Sequence, residues 1–110
     1  MYYFDSNKEI ERMRAAGKRA CDVLGEEQGC VNGCHAGLTF YNETEYGKGG
    51  KHEDQECFIV LEGNGMAIIG EEEFPIYPGL TMVAPAGVFH VFKRNADSIP
   101  VKIFWFHAAV

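Results

Sequence analysis

The chain has 110 residues, 46% of them hydrophobic, and a formal net charge of −6 at pH 7. That length supports one modest hydrophobic core and excludes two independent domains. Because 12 of the 16 acidic residues but only 5 of the 10 basic ones lie after residue 25, the body of the chain repels phosphate backbones, and we expect no nucleic-acid partner. No apolar run reaches membrane-span length, and MYYFDSNKE lacks the features of a secretion signal, so we expect a cytoplasmic protein that binds no membrane.

The first predicted element is an amphipathic helix preceded by a short aromatic arm. Ser6 and Glu9 form a capping-box pattern at its start. Apolar and small residues then recur at helical spacing as far as Leu24, and Gly25 follows as a C-cap. We therefore assign residues 1–28 to an N-terminal arm and helix.

The next segment, CVNGCH, contains two of the four cysteines. Asn32-Gly33 between short apolar flanks predicts a two-residue β-hairpin. In such a hairpin Cys30 and Cys34 point to opposite sides, which makes a disulfide between them geometrically awkward. We expect reduced thiols, as is usual in the cytoplasm.

The remainder of the chain is predicted to be β-structure. Short apolar runs are separated by Gly, Pro and Asn turn signals, and the three glutamates at 71–73 are expected at a hairpin tip. This pattern is typical of a β-sandwich or β-barrel. The runs are GLTFY, CFIVLE, GMAIIG, LTMVAP, VFHVFK and VKIFWFH.

His52 and Glu56 are the first candidate functional residues. They lie four positions apart, so on an extended strand both side chains point to the same face. Phe58 and Val60 follow on that face. A face that is polar at one end and apolar deeper in is typical of a ligand cup in a small barrel.

His90 is the second candidate, in the apolar run that follows the turn Pro85-Ala86-Gly87. A histidine buried among Phe and Val side chains costs free energy unless its ring nitrogens find partners. A metal ion, or a carboxylate such as Glu56, would supply one. We assign Phe92 to the lining of the same cup.

These stretches resemble the two signature segments of the cupin superfamily, which are small jelly-roll β-barrels. The first family segment is G-x5-H-x-H-x(3,4)-E-x6-G, and the second is G-x5-P-x-G-x2-H-x3-N. In the first, His52 stands at the second histidine position and Glu56-x6-Gly63 matches. In the second, the matching residues are Gly79, Pro85, Gly87 and His90, with Asn95 one residue late. The resemblance covers about residues 37 to 107 and implies that residues 29–110 form a single-domain cupin barrel.

One departure from the family pattern concerns the metal ligands. The family usually binds a divalent metal through three histidines and a glutamate, and Gly50 stands where the first histidine is expected. The resemblance therefore implies a site of His52, Glu56 and His90, which resembles the facial triad of non-haem iron enzymes. The metal that the resemblance implies is Fe, Mn, Ni, Co or Zn. The missing fourth ligand would be water or one of the additional candidates, which are Asp54, His35 and His107.

The resemblance leaves three functional hypotheses open. The first is a metal-dependent enzyme acting on a small polar metabolite, by dioxygenase, isomerase, decarboxylase or lyase chemistry. The second is a non-catalytic module that binds a sugar or small acid, with or without metal. The third is a structural partner that docks through its basic helix. The fold alone does not choose among them.

The last run, VKIFWFH, is apolar on both faces of the predicted strand. A strand of this kind is normally covered on both sides. One face lines the barrel, and the other requires the helix or a second subunit. Similar small cupins are commonly dimers, so we expect a homodimer.

Overall fold

The computed structural model describes residues 1 to 108, which form one α-helix, one 3-10 turn and eight β-strands. Helix α1 spans Ser6–Ala15, and the 3-10 turn spans Glu26–Gln28. The strands in chain order are β1 Ala20–Leu24, β2 His35–Tyr41, β3 Glu56–Glu62, β4 Gly65–Ile69, β5 Glu72–Ile76, β6 Thr81–Ala84, β7 His90–Arg94 and β8 Val101–His107. Within the described range, no helix combines the length and the apolar character that crossing a membrane requires.

The strands form two antiparallel sheets. One has five strands in the order β1-β2-β8-β3-β6, and the other has three in the order β5-β4-β7. The two sheets share one hydrophobic core, since Val60 and Ile103 of the first pack in the same cluster as Ala67 and Ile76 of the second. This is a mainly β jelly-roll architecture with one N-terminal helix, as the sequence predicts.

The helix is shorter than predicted, and the prediction that it continues to Leu24 is wrong. It begins after Asp5, whose side chain accepts a hydrogen bond from the Asn7 amide, and it ends at Ala15. Gly17 follows with φ +73°, a left-handed conformation that stops helices. A four-residue spacing such as that between Ala20 and Leu24 is shared by the helical and the β-strand period, which is why the sequence pattern is ambiguous here.

The residues beyond the helix form β1, an edge strand that pairs with β2. Val23 is its one buried residue. Strand β5 is a second element absent from the prediction, because it begins at Glu72, within the glutamates assigned to the hairpin tip. Both omissions have the same cause, since short edge strands with mixed polarity carry little periodic signal.

The CVNGCH segment forms the predicted turn but not the predicted hairpin. Asn32 and Gly33 have φ +55° and +81°, and the Cys34 amide donates to the Val31 carbonyl at 3.1 Å. Residues 25–34 connect β1 to β2, however, so Cys30 is not on a strand. The strand-alternation argument that directs the two thiols to opposite sides therefore does not apply here. Burial and the neighbouring Cys34 thiol raise the pKa of Cys30. Both cysteines are free.

The packing of Trp105 against strand β2 depends on Gly37. This glycine on β2 is paired with Trp105 of β8, whose indole Nε1 donates to the Thr39 hydroxyl at 2.8 Å. A Cβ atom at Gly37 would lie 2.7 Å from the Trp105 Cη2 atom and against the Cys21 carbonyl oxygen. The absence of a side chain therefore lets the indole lie flat over the strand.

We predict that Gly37→Ala lowers the free energy of unfolding by about 2 kcal/mol, because the added methyl group overpacks a rigid ring and a backbone carbonyl. Urea titration measures the effect. Gly47→Ala is the matched control, since a Cβ there meets nothing within 4 Å, and we expect it to change stability by less than about 0.5 kcal/mol. Equal stabilities for the two variants would contradict this packing account.

Candidate metal centre

The candidate site lies at one end of the two sheets, where three segments meet. Glu56 opens β3 and is paired with His107 at the end of β8. His90 opens β7 in the other sheet, and its backbone pairs with Gly50 through two hydrogen bonds of 2.8 and 3.0 Å. His52 follows Gly50 in the loop before β3, and its carbonyl accepts from Gly87 at 2.6 Å.

This placement corrects the strand argument for His52. The sequence pattern predicts His52 and Glu56 on one extended strand, but β3 begins only at Glu56. The two side chains meet because the loop is tied to His90 and to Gly87, not because residues on a strand alternate faces. The same loop contains Asp54, so strand alternation does not orient that side chain either.

Two histidines converge on one carboxylate oxygen. The Nε2 atom of His52 lies 3.5 Å from Glu56 Oε1, and that of His90 lies 3.4 Å from the same oxygen. The donor atoms of the three residues all lie within 4.8 Å of one another. Glu56 is buried, with 6% of its surface exposed. A carboxylate this deep requires neighbouring positive charge or hydrogen-bond donors.

The arrangement fits a divalent metal ion. With metal–ligand bonds of about 2.1 Å, adjacent donors sit about 3.0 Å apart in an octahedral site and about 3.4 Å apart in a tetrahedral one. The two imidazole–carboxylate separations, 3.5 and 3.4 Å, match the larger value, and the two imidazole nitrogens lie within 4.8 Å of each other. The donor types, two imidazoles and one carboxylate, are those of a metal centre with open positions.

His90 departs from the usual surroundings of a metal-binding histidine. Its Nδ1 atom is buried and has no hydrogen-bond partner among the described residues. A metal-ligating histidine normally donates its second ring N–H to a carboxylate or carbonyl. A ligand role for Nε2 would therefore place an unsatisfied N–H in the core, at a cost of about 1–3 kcal/mol.

The three additional candidates lie in different places. His107 directs Nε2 toward Glu56 Oε2 at 3.5 Å and hydrogen-bonds through Nδ1 to Asp54 Oδ2 at 2.8 Å. The hydrogen bond from His107 holds the pKa of Asp54 below its ordinary value. His35 lies beyond His107, stacked on its ring at 4.5 Å, and its Nδ1 donates to the Gly33 carbonyl. Neither Asp54 nor His35 joins the group that surrounds Glu56.

The predicted lining residues divide into wall and core. Phe92 lines a cavity of about 340 Å³ that opens beside His52 and His90. Phe58 packs against the His90 ring, with the ring centroids 5.5 Å apart. Val60 is 1% exposed and belongs to the core beneath the cavity.

Most of the other cavity residues are absent from the sequence-based prediction, among them Arg19, Tyr41 and Lys48. Burial, reinforced by the charge of Glu56, raises the pKa of Tyr41 to about 12, while nearby Arg19 partly opposes the shift. Arg19 escaped notice because the pattern placed it in the helix. Tyr41 follows Thr39 by two positions on β2, and that alternation is the one signal that identifies it as facing inward.

Comparison with known proteins supports the fold. The family model described as a cupin domain matches residues 41–107. No curated protein matches the chain significantly.

Several solved structures are similar to this chain. TT1209 from Thermus thermophilus is 23% identical with a TM-score of 0.71, and the match covers 99% of this chain and 98% of that protein. A cupin 2 domain-containing protein from Halorhodospira halophila is 12% identical with a TM-score of 0.70, over 83% of this chain and 63% of that one. The iron(II) form of HppE in complex with substrate is 16% identical with a TM-score of 0.67, over 81% of this chain and 52% of that one. This chain therefore spans less than two thirds of the last two proteins.

Proposed function

This chain belongs to the cupin superfamily, and on that premise we propose that it holds a divalent metal at one end of the jelly roll and binds or transforms a small polar metabolite there. The observation that carries the proposal is the convergence of two imidazole Nε2 atoms on the buried carboxylate of Glu56. The metal would be Fe, Mn, Ni, Co or Zn. HppE, a structural neighbour, is an iron(II) protein that binds a substrate.

Each ligand residue has a distinct role in this proposal. Glu56 would supply a negatively charged oxygen ligand. Its side chain is buried, so the surrounding residues hold it in position. His52 and His90 supply neutral nitrogen ligands from two separate segments, so the ion would also hold the loop before β3 against β7. The bound metal would supply Lewis-acid or oxygen-binding chemistry.

The cavity beside the two histidines is the proposed substrate site. Its volume of about 340 Å³ is within the range of small-ligand pockets. Val91 and Phe92 form an apolar part of its wall, while Tyr41 offers a hydroxyl group that stays protonated at neutral pH. Arg19 and Lys48 add positive charge to the wall, and Glu43 and Glu45 add negative charge. These groups suit a metabolite with oxygen-rich substituents.

The second candidate is a non-catalytic, metal-free module for a sugar or small acid. Two observations favour it: Gly50 replaces the expected first histidine, and His90 Nδ1 has no partner among the described residues. In this version the imidazoles would contact Glu56 directly, and the cavity would bind its ligand without a metal. The two versions differ in metal content.

The cytoplasmic location is also proposed, since the four cysteines are all free, as is usual in a reducing compartment.

Elemental analysis of natively purified protein tests the choice between the two candidates. We predict about one divalent metal per chain in the wild type, and loss of at least about 90% of it in His90→Ala and Glu56→Gln, because each substitution removes one of three protein ligands. Glu62→Gln is the matched control on the same strand, since this exposed glutamate pairs only with Lys102 at 3.6 Å within the described chain. Metal-free wild-type protein would favour the second candidate.

We also propose that the chain forms a homodimer through the outer face of the five-stranded sheet. Helix α1 packs at the β1 end, where Met13 is buried and Arg14 lies over the Phe40 ring at 4.4 Å. The outer face of β8, β3 and β6 is left open and forms an apolar groove of about 540 Å³. Its outward residues are Cys57, Ile59, Thr81, Val83, Phe104 and Phe106. A patch of this kind on a small protein marks an interaction surface.

We predict that the wild type sediments as a dimer at micromolar concentration and that Phe106→Glu sediments as a monomer, because a charge would be buried in the interface. Phe106 is 39% exposed in the single chain, so the substitution is compatible with folding of the monomer. Ile99→Glu, at a 61% exposed position outside the groove, is the control and should leave the dimer intact. A monomeric wild type would contradict the proposal.

A further inference from the structure

We propose that His107, oriented by Asp54, is a fourth protein ligand of the metal centre. It would replace the histidine that the family pattern has at the position of Gly50. This inference rests on the proposed function, since it concerns the same ion. It assigns a role to the last residue of β8 that the family pattern does not contain.

The first argument is position. His107 and Glu56 are directly paired on neighbouring antiparallel strands, so their side chains share a face of the sheet. The Nε2 atom of His107 lies 3.5 Å from Glu56 Oε2, while those of His52 and His90 lie 3.5 and 3.4 Å from Oε1. Three imidazoles thus surround one carboxylate.

The second argument is the hydrogen bond to Asp54. Asp54 Oδ2 lies 2.8 Å from His107 Nδ1, so a neutral His107 carries its proton on Nδ1 and directs the Nε2 lone pair at Glu56. Two lone pairs that face each other repel unless a cation or proton lies between them. A carboxylate–histidine pair of this kind is the usual support of a metal-ligating histidine.

The third argument is that the ring is held in place. His107 packs face to face with His35 at 4.5 Å and edge to face with Trp105 at 5.5 Å, and its side chain is 13% exposed. A ring fixed by packing and by one hydrogen bond presents its free nitrogen in one direction. His90, whose Nδ1 has no partner among the described residues, lacks this support.

The fourth argument concerns the two oxygens of Glu56. The compact donor group of His52, Glu56 and His90 does not include His107. His107 faces Oε2, whereas the other two histidines face Oε1. Glu56 therefore has imidazole nitrogens near both of its oxygens, and His107 would complete the ligand set from the Oε2 side. At Gly50 a Cβ would meet only His52 Cε1, at 4.0 Å, so a side chain can be added there.

Cobalt(II) binding tests the proposal. Calorimetry gives the affinity, and the visible absorption of bound Co²⁺ reports the ligand set. The main variant is His107→Phe, which keeps an aromatic ring against His35 and Trp105 and removes both nitrogens. Asp54→Asn removes the orienting carboxylate from a partly exposed position and serves as a second variant if His107→Phe does not fold, which circular dichroism of the metal-free forms will show.

We expect His107→Phe to weaken Co²⁺ binding by more than about 100-fold and to change the spectrum. We expect Asp54→Asn to weaken binding by about 10–100-fold and to have no further effect in the His107→Phe background. Glu62→Gln, at an exposed position of β3 that pairs with Lys102, is the control and should change the affinity by less than about threefold. Adding Gly50→His to His107→Phe should raise the Co²⁺ affinity at least about tenfold, or about 1.4 kcal/mol, because it restores a fourth protein ligand.

Wild-type affinity and spectrum in His107→Phe would overturn the inference and leave a three-ligand site. If that variant is unfolded, wild-type affinity in Asp54→Asn would overturn it instead. Absence of Co²⁺ binding by the wild type would overturn both the inference and the proposed function.

Discussion

The buried carboxylate of Glu56 is the interaction on which the functional end of this molecule depends. With 6% of its surface exposed, it has lost most of its hydration and must be neutralised from within the protein. Three histidine Nε2 atoms lie 3.4 to 3.5 Å from its oxygens, and no lysine or arginine in the described chain pairs with it. The proposed metal would share this carboxylate with the imidazole nitrogens around it.

The fold provides this arrangement through long-range pairing. Strand β3 lies between β8 and β6, which places His107 beside Glu56. Strand β7 belongs to the other sheet, and its first residue, His90, reaches the same point through the backbone bridge to Gly50. The shared hydrophobic core holds the two sheets together, so these strand ends stay close to each other. The site is therefore assembled by the topology, and no single segment forms it alone.

The sequence predicted the mainly β class and an N-terminal helix, because turn-forming glycines and prolines, apolar runs and helical spacing leave strong local signals. The meeting of His52, Glu56 and His90 followed from the resemblance to the cupin signature segments, whereas the strand argument for His52 was wrong. The sequence did not predict β1, because Ala20 and Leu24 fit two periods equally well. His107 was a weak candidate for a physical reason. It is 51 positions from Glu56 along the chain, and only the strand order brings them together.

The central claim is that a divalent ion shares Glu56 with the histidines around it. Anomalous diffraction from a crystal of the natively purified protein, collected at the absorption edge of the metal found in it, tests this most directly. The account predicts one anomalous peak within bonding distance of Glu56 and of the Nε2 atoms of His52 and His90. A map without a peak there, with Glu56 hydrogen-bonded directly to the imidazoles, would contradict it.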